Sequence, residues 1–334
     1  MRCQVCGTSL DEPDGTVARR GRPPRYCSES CRARAYRARR GRRRTALPPS
    51  GQAVPLVADA RALPLADDSV DVVVTSPPYF ALRDYAGRDR QIGTETDPHD
   101  YLCALWSATA EMVRVLKPAG SLWVNLGDKY AGAAAGGEHG GRLGRASEHQ
   151  RRRGALRLAP KRRPRTHVPS KSLMGLPWRY ALGCIDELGL RLRAELVWDK
   201  PNAVPESVGD RVHRAHEQWF HFTLSETYYA RPQKRRRSVW RVATTPLRLP
   251  EHLGHHDGCF PEAFPRRFID DYCPPEGVVL DPFGGTGTTA AAAAALGRTG
   301  LSVDLAPDYA AIVDHRTAEL GATIRRRATH PDQH

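Results

Sequence analysis

One stretch near the carboxyl end constrains this chain more than any other. Val278-Val279-Leu280 runs into Asp281-Pro282-Phe283-Gly284-Gly285-Thr286-Gly287-Thr288, then into an alanine-rich segment, Ala290–Leu296, and then into Thr299–Asp304. A short β-branched run, a glycine loop, a helix and a second strand, in that order, specify a β-α-β unit of a parallel sheet. Glycines in such a loop let a ligand approach the backbone closely. No Gly-Lys-Ser/Thr follows, so the loop does not grip a triphosphate. Asp304 closes the second strand 20 residues past Gly284, where an acid can accept both hydroxyls of a ribose. A nucleoside-bearing cofactor without a tight phosphate grip fits this unit.

The same alternation extends upstream. Val70–Thr75 reads as a buried parallel strand, Tyr101–Leu116 as a helix stopped by Lys117-Pro118-Ala119-Gly120, and Ser121–Leu126 as the next strand. Leu176–Leu188 has helical periodicity and Leu192–Trp198 reads as a strand. Strands alternating with helices predict an α/β fold with a doubly wound sheet.

The strand at Val70–Thr75 ends in a second loop with chemical content, Ser76-Pro77-Pro78-Tyr79. Two prolines fix the backbone and carry carbonyls without amide donors. A serine oxygen and a proline carbonyl can both accept hydrogen bonds from an exocyclic amine, and the tyrosine ring offers a stacking face for a planar base. No nucleophile is needed, because an amine held by acceptors can attack an electrophilic methyl directly.

Charge points to the partner. The 334 residues carry 51 Lys+Arg against 37 Asp+Glu, a net of +14. Residues 1–44 hold a net of +9 and residues 131–171 another +9, so the remaining body is mildly acidic. A third run is Lys234-Arg235-Arg236-Arg237. Basic attachments on an acidic body favour contacts to the backbone phosphates of nucleic acid. No run is apolar enough to span a membrane and Met1 leads into no apolar signal segment, which excludes secreted and membrane-embedded classes and favours the cytoplasm.

Eight cysteines are too few for a disulfide scaffold of this length. Cys3-x2-Cys6 and Cys27-x3-Cys31 form two close pairs separated by 20 residues, which suits a tetrahedral structural zinc site. A basic helix, Arg32 to Arg40, is expected to follow. Cys103, Cys184, Cys259 and Cys273 have no mutual ligand spacing and read as packing residues.

With both loops identified, the chain resembles the β group of DNA amino-methyltransferases, which transfer methyl from S-adenosyl-L-methionine to N4 of cytosine or N6 of adenine. That family's catalytic tetrapeptide, Ser/Asp/Asn-Pro-Pro-Tyr/Phe, is matched by Ser76–Tyr79, and its cofactor loop, Asp-Pro-Phe-x-Gly-x-Gly-Thr, by Asp281–Thr288. The catalytic loop precedes the cofactor loop, the order of the circularly permuted β group. Further resemblance lies in Arg114–Asp128, Trp198-Asp199-Lys200-Pro201-Asn202 and His216-Glu217. Phe260-Pro261 resembles the segment beside the methionine end of the cofactor, and Asp59 the acid that meets the adenine amine. Family members usually carry Glu where Asp304 stands, and neither the cysteine-rich segment nor the long basic loop belongs to the common core.

The resemblance implies a Rossmann-like S-adenosylmethionine-dependent methyltransferase fold with a small N-terminal zinc module. The expected division is 1–44 for that module, 45–53 for a linker and 54–322 for the methyltransferase domain, with 323–334 as a tail. Within the domain, 131–171 is expected as a mobile basic loop and 230–258 as a target-recognition segment. Expected roles are catalytic for Ser76, Pro77, Pro78 and Tyr79, and cofactor-binding for Asp59, Phe260, Pro261, Asp304 and Asp281 through Thr288 (Asp281, Pro282, Phe283, Gly284, Gly285, Thr286, Gly287, Thr288). Serine in the first catalytic position favours cytosine N4, with adenine N6 as the alternative and a cognate restriction endonuclease as a partner the resemblance admits. RNA or a protein amide as substrate is disfavoured because the usual loop there begins with Asn. C5-cytosine chemistry is disfavoured because it needs a Pro-Cys loop, and Cys273-Pro274 has the reverse order. The non-enzymatic alternative is a zinc-dependent DNA-binding protein with an inactive catalytic body. Oligomeric state and recognition sequence are not written in these motifs.

Overall fold

The computed structural model describes residues 47–84, 90–132, 157–158, 167–206, 208–232, 236–245, 247, 249–250, 253 and 259–318. The zinc-module cysteines Cys3, Cys6, Cys27 and Cys31, most of the 131–171 loop, part of 230–258 and the 323–334 tail lie outside the described residues.

Eight strands form one sheet. In chain order they are β1 (Ala53–Val57), β2 (Val70–Thr75), β4 (Leu116–Leu126), β6 (Arg191–Asp199), β7 (His216–Thr223), β8 (Val239–Arg241), β9 (Val278–Asp281) and β10 (Thr299–Asp304). A separate two-stranded ladder pairs β3 (Arg83–Asp84) with β5 (Arg157–Leu158). The order across the large sheet is β1-β10-β9-β2-β4-β7-β6-β8. Every neighbouring pair is parallel except those made by β7, which runs antiparallel to both β4 and β6.

Helices α1 (Pro98–Val115), α2 (Leu176–Asp186), α3 (Ala263–Tyr272) and α4 (Thr288–Ala295) cover the sheet, and residues 309–318 are also helical. Alternation along the central strands explains the two layers. Val73, Leu280 and Leu122 turn toward the core shared with α1 and α2, while Val72, Val74, Val279 and Trp123 turn toward α3 and α4. A sheet buried on both faces needs near-continuous apolar strands, and all six residues of β2 are buried. The α/β fold with helices on both faces therefore stands as expected.

The middle of the sheet is pinned at its amino end by Asp71. Its carboxylate accepts Lys117 Nζ at 2.9 Å on each oxygen and the Val278 amide at 2.8 Å, tying β2 to the starts of β4 and β9. The chain before β1 is fastened as well: Gly51 N donates to the Arg298 carbonyl at 3.2 Å, and Gly300 N to the Gln52 carbonyl at 2.7 Å. Part of the expected linker is thus held against the sheet edge.

Aromatic packing dominates the layer under α3. His221 on β7 is stacked on Trp123, with centroids 4.3 Å apart, and Tyr272 lies at 4.8 Å. Burial, with a contribution from Arg193, pushes the imidazole down from 6.5 to about 3, so it stays neutral in the folded chain. The unfolded chain takes up this proton below 6.5, whereas the folded chain does so only near 3, so stability is lost as pH falls through that window. Urea denaturation at about pH 7 and about pH 5 should show the wild type losing about 2 kcal/mol more than His221→Gln. Equal losses would contradict a buried neutral imidazole.

Candidate active site

The two loops read from sequence leave the sheet side by side. β9 is hydrogen-bonded to β2 although some 200 residues separate them in the chain. From β9 the sheet continues outward through β10, and from β2 through β4. Such a reversal opens a crevice at the carboxyl ends of the strands, where α/β sheets bind ligands.

A buried carboxylate joins the two loops. Asp281, last residue of β9, accepts Thr75 Oγ1 at 2.6 Å, Thr289 Oγ1 at 3.0 Å and the Phe283 amide at 3.1 Å. Thr75 ends β2 immediately before Ser76, and Thr289 lies in the first turn of α4. Burial raises the Asp281 pKa from 3.8 to about 6 against the lowering effect of these donors.

Above this junction lies a cavity of about 530 Å³. Of the residues expected to act, Asp59, Ser76, Pro77, Pro78, Tyr79, Phe260, Asp281, Pro282, Phe283, Gly284, Gly285, Thr286, Thr288 and Asp304 line it. Pro261 and Gly287 do not. The Pro261 carbonyl accepts the Phe264 amide at 3.1 Å as the chain enters α3. Gly287 has φ +75° and caps α4, and a Cβ there would stand 2.7 Å from Val313 Cγ2. Its place is turn geometry and close packing of the 309–318 helix.

Asp304 sits at the carboxyl end of β10, where its two oxygens accept the Gly285 amide at 3.1 Å and the Ala306 amide at 2.8 Å. Asp59 is gripped by Arg61, with bonds from Nε at 3.0 Å, Nη2 at 2.8 Å and the backbone amide at 2.9 Å. Burial raises the Asp59 pKa, but Arg61 and the charge of Arg90 together lower it below 3.8.

The Ser76–Tyr79 loop is held from several sides. Tyr101 on α1 donates to the Pro78 carbonyl at 2.9 Å. The Ala81 amide donates to the Gly93 carbonyl at 2.8 Å, and Ala81 itself carries φ +49°, an unusual conformation for alanine. Ser76 Oγ lies 3.1 Å from Asn125 Oδ1, and Tyr79 Oη lies 2.8 Å from both Asn125 Oδ1 and Glu217 Oε2. Gly127 packs on the Tyr79 ring so closely that a Cβ would stand 2.7 Å from Cε2.

Several participants carry no assigned role in the sequence reading. Asn125 and Glu217 stand within quoted motifs, yet their spacing gives no reason to place them beside Tyr79. Arg316 lies in no motif; its Nη1 donates to the Thr286 carbonyl at 3.1 Å and to Thr288 Oγ1 at 2.6 Å, bracing the glycine loop from outside. Cys259 and Cys103 depart from the expected packing role. Cys259 is half-buried, lines the cavity and lies 2.9 Å from Thr286 Oγ1, and Cys103 is exposed. Among the described residues no cluster could hold a metal ion, and no helix is long and apolar enough to cross a membrane. Arg236 in the third basic run is paired with Asp271 on α3, which gives that arginine a structural partner.

Residues 70–315 match the family described as DNA methylase. The chain is 38% identical over 277 residues to the type II methyltransferase M.XycI of Xanthomonas campestris pv. cyanopsidis, covering 79% of this chain and 86% of that protein. It is 36% identical over 276 residues to M.SmaI of Serratia marcescens, with 78% and 89% covered. Among solved structures it is similar in fold to the PvuII DNA methyltransferase (cytosine-N4-specific), with a TM-score of 0.57 at 20% identity, covering 83% of this chain and 94% of the other. It is similar also to a putative DNA modification methylase of Thermus thermophilus complexed with S-adenosyl-L-methionine, with a TM-score of 0.53 at 24% identity and coverages of 80% and 94%.

Replacing Thr75 by Val removes the shortest donor to a fully buried carboxylate. Urea denaturation should show a loss of about 1–3 kcal/mol. An unchanged midpoint would contradict the role given to this junction.

Proposed function

The chain belongs to the DNA methylase family of S-adenosylmethionine-dependent enzymes, and from that premise we propose that it methylates the N4 amine of a flipped cytosine in double-stranded DNA. The observation that carries this reading is the meeting of Ser76–Tyr79 and Asp281–Thr288 at one cavity. Serine in the first catalytic position favours cytosine over adenine.

The residues present fit the cofactor. A cavity of about 530 Å³ with a carboxylate at the end of β10 and a glycine loop after β9 suits an adenosine-sized ligand. Asp304 would accept the ribose hydroxyls through lone pairs not used by Gly285 and Ala306. Phe283 and Asp59 would flank the adenine, and Phe260 the methionine end. Bound there, S-adenosylmethionine supplies an electrophilic methyl on a sulfonium.

Arginine-rich segments would collect the duplex through its phosphates, and the target base would leave the stack to reach the cavity. Tyr79 stacks on the base ring, while Ser76 Oγ and the Pro77 carbonyl accept the two amine protons. The amine becomes cationic as it reacts, so these acceptors strengthen in the transition state. Holding both reactants in line accounts for much of the acceleration.

The relatives' names, type II methyltransferases, support a restriction-modification setting, with a cognate endonuclease as partner and the bacterial cytoplasm as its place. The cysteine spacing supports one structural zinc held by Cys3, Cys6, Cys27 and Cys31. Elemental analysis of the purified full chain should give one zinc per molecule. No metal after expression in zinc-supplemented medium would contradict it.

The functional test is label transfer from isotope-labelled S-adenosylmethionine to unmethylated DNA, read as nucleosides by mass spectrometry. Label is expected in N4-methylcytosine; label in N6-methyladenine would overturn the base assignment, and none in any nucleoside the whole reading. Ser76→Ala should lower kcat by about 100-fold while cofactor affinity is retained. Asp304→Ala should weaken cofactor binding by about 10- to 100-fold.

A further inference from the structure

Tyr79 presents one proton to two acceptors. Its hydroxyl lies 2.8 Å from Asn125 Oδ1 and 2.8 Å from Glu217 Oε2. The Asn125 amide cannot turn to relieve this without loss, because its Nδ2 donates to the Gln218 carbonyl at 3.0 Å. Ser76 Oγ needs the same Asn125 oxygen, at 3.1 Å. Two hydroxyls therefore compete for one carbonyl oxygen at the floor of the site.

Which proton Asn125 receives bears on the reaction. Ser76 can accept from an amine only when its own proton points elsewhere. Asn125 Oδ1 accepts it at 3.1 Å, and a phenol proton directed there competes for that oxygen. Glu217 offers the alternative. Its second oxygen is paired with Lys200, whose ammonium also lies 4.1 Å from the Trp198 ring centroid. The pair is mostly buried, with 17% and 16% of the two side chains exposed.

We propose that Glu217, paired with Lys200, is a positioning residue for methyl transfer: it takes the phenol proton of Tyr79 and leaves the Asn125 carbonyl to Ser76, whose lone pairs then face the target amine. The inference rests on the assignment of Ser76 as amine acceptor. Glu217 lines the cavity, and the part assigned to it is exerted through Tyr79 and Asn125. The strand that carries it, β7, is antiparallel to β4 and pairs Trp219 with Asn125 and Gln218 with Leu126, so Glu217 stands just past the end of β4.

Glu217→Gln reverses the polarity of the contact. Lys200 would draw the amide oxygen and turn the amide NH2 toward Tyr79, which sends the phenol proton to Asn125. Methyl transfer to unmethylated DNA should then fall by about 10-fold in kcat, with cofactor affinity within about 2-fold of wild type. In a Tyr79→Phe background there is no phenol proton to direct, so adding Glu217→Gln should cost less than about 2-fold. Glu217→Leu, which also lacks the acceptor, replaces the amide variant should that one fail to fold, as judged by cofactor binding and melting temperature. An equal loss in both backgrounds, or no loss in either, would overturn the inference. Full activity of Ser76→Ala alone would remove instead the reading on which it rests.

Discussion

The carboxylate of Asp281 is the constraint on which the site depends. Thr75 and Thr289 donate to it at 2.6 and 3.0 Å, so the end of β2, the end of β9 and the start of α4 are fastened to one fully buried group. A buried acid costs several kcal/mol unless hydrogen-bonded, and here burial leaves its pKa raised to about 6 in spite of three donors. The arrangement places the Ser-Pro-Pro-Tyr loop directly beside the glycine loop. Residues of both loops line the one cavity, which neither loop forms alone.

The remaining geometry follows from sheet order. β10 delivers Asp304 on one side of Asp281, and β4 delivers Asn125 on the other side of Ser76. The antiparallel β7 then carries Glu217 to the tip of Tyr79. Each polar residue is a strand-end or near-strand-end residue on a rigid element, which is how a fold holds reacting groups within tenths of an ångström. The 309–318 helix adds Arg316 as a brace on the glycine loop.

Much of this is readable in the sequence. The strands at Val70–Thr75 and Thr299–Asp304 are borne out residue for residue, the first because a parallel strand buried on both faces is rich in valine, the second because it completes the unit that the glycine loop and alanine-rich helix begin. α1 begins earlier than its apolar periodicity, since Asp97 accepts the His99 amide at 2.7 Å and Pro98 opens the helix. The Lys117–Gly120 stop lies inside the long β4 as a register shift, between the Val70–Leu116 and Val72–Ser121 pairings. The strand His216–Thr223 escapes a reading by pattern, since His-Glu-Gln-Trp-Phe-His-Phe-Thr shows no clean alternation. Without that strand, nothing in the sequence gives Glu217 a role. Asn125 and Lys200 are hidden for a similar reason: their partners are set by sheet register, which spacing along the chain does not encode. Conversely, the two loops are visible because a ligand-facing backbone demands Gly and Pro at fixed positions.

The most direct test of the account is a crystal structure of the full chain with DNA and an S-adenosylmethionine analogue that has no transferable methyl. The ribose is expected on Asp304 and an extrahelical cytosine stacked on Tyr79, its N4 within hydrogen-bond distance of Ser76 Oγ. An adenosine bound away from Asp304, or a base seated with its amine turned from Ser76, would contradict it.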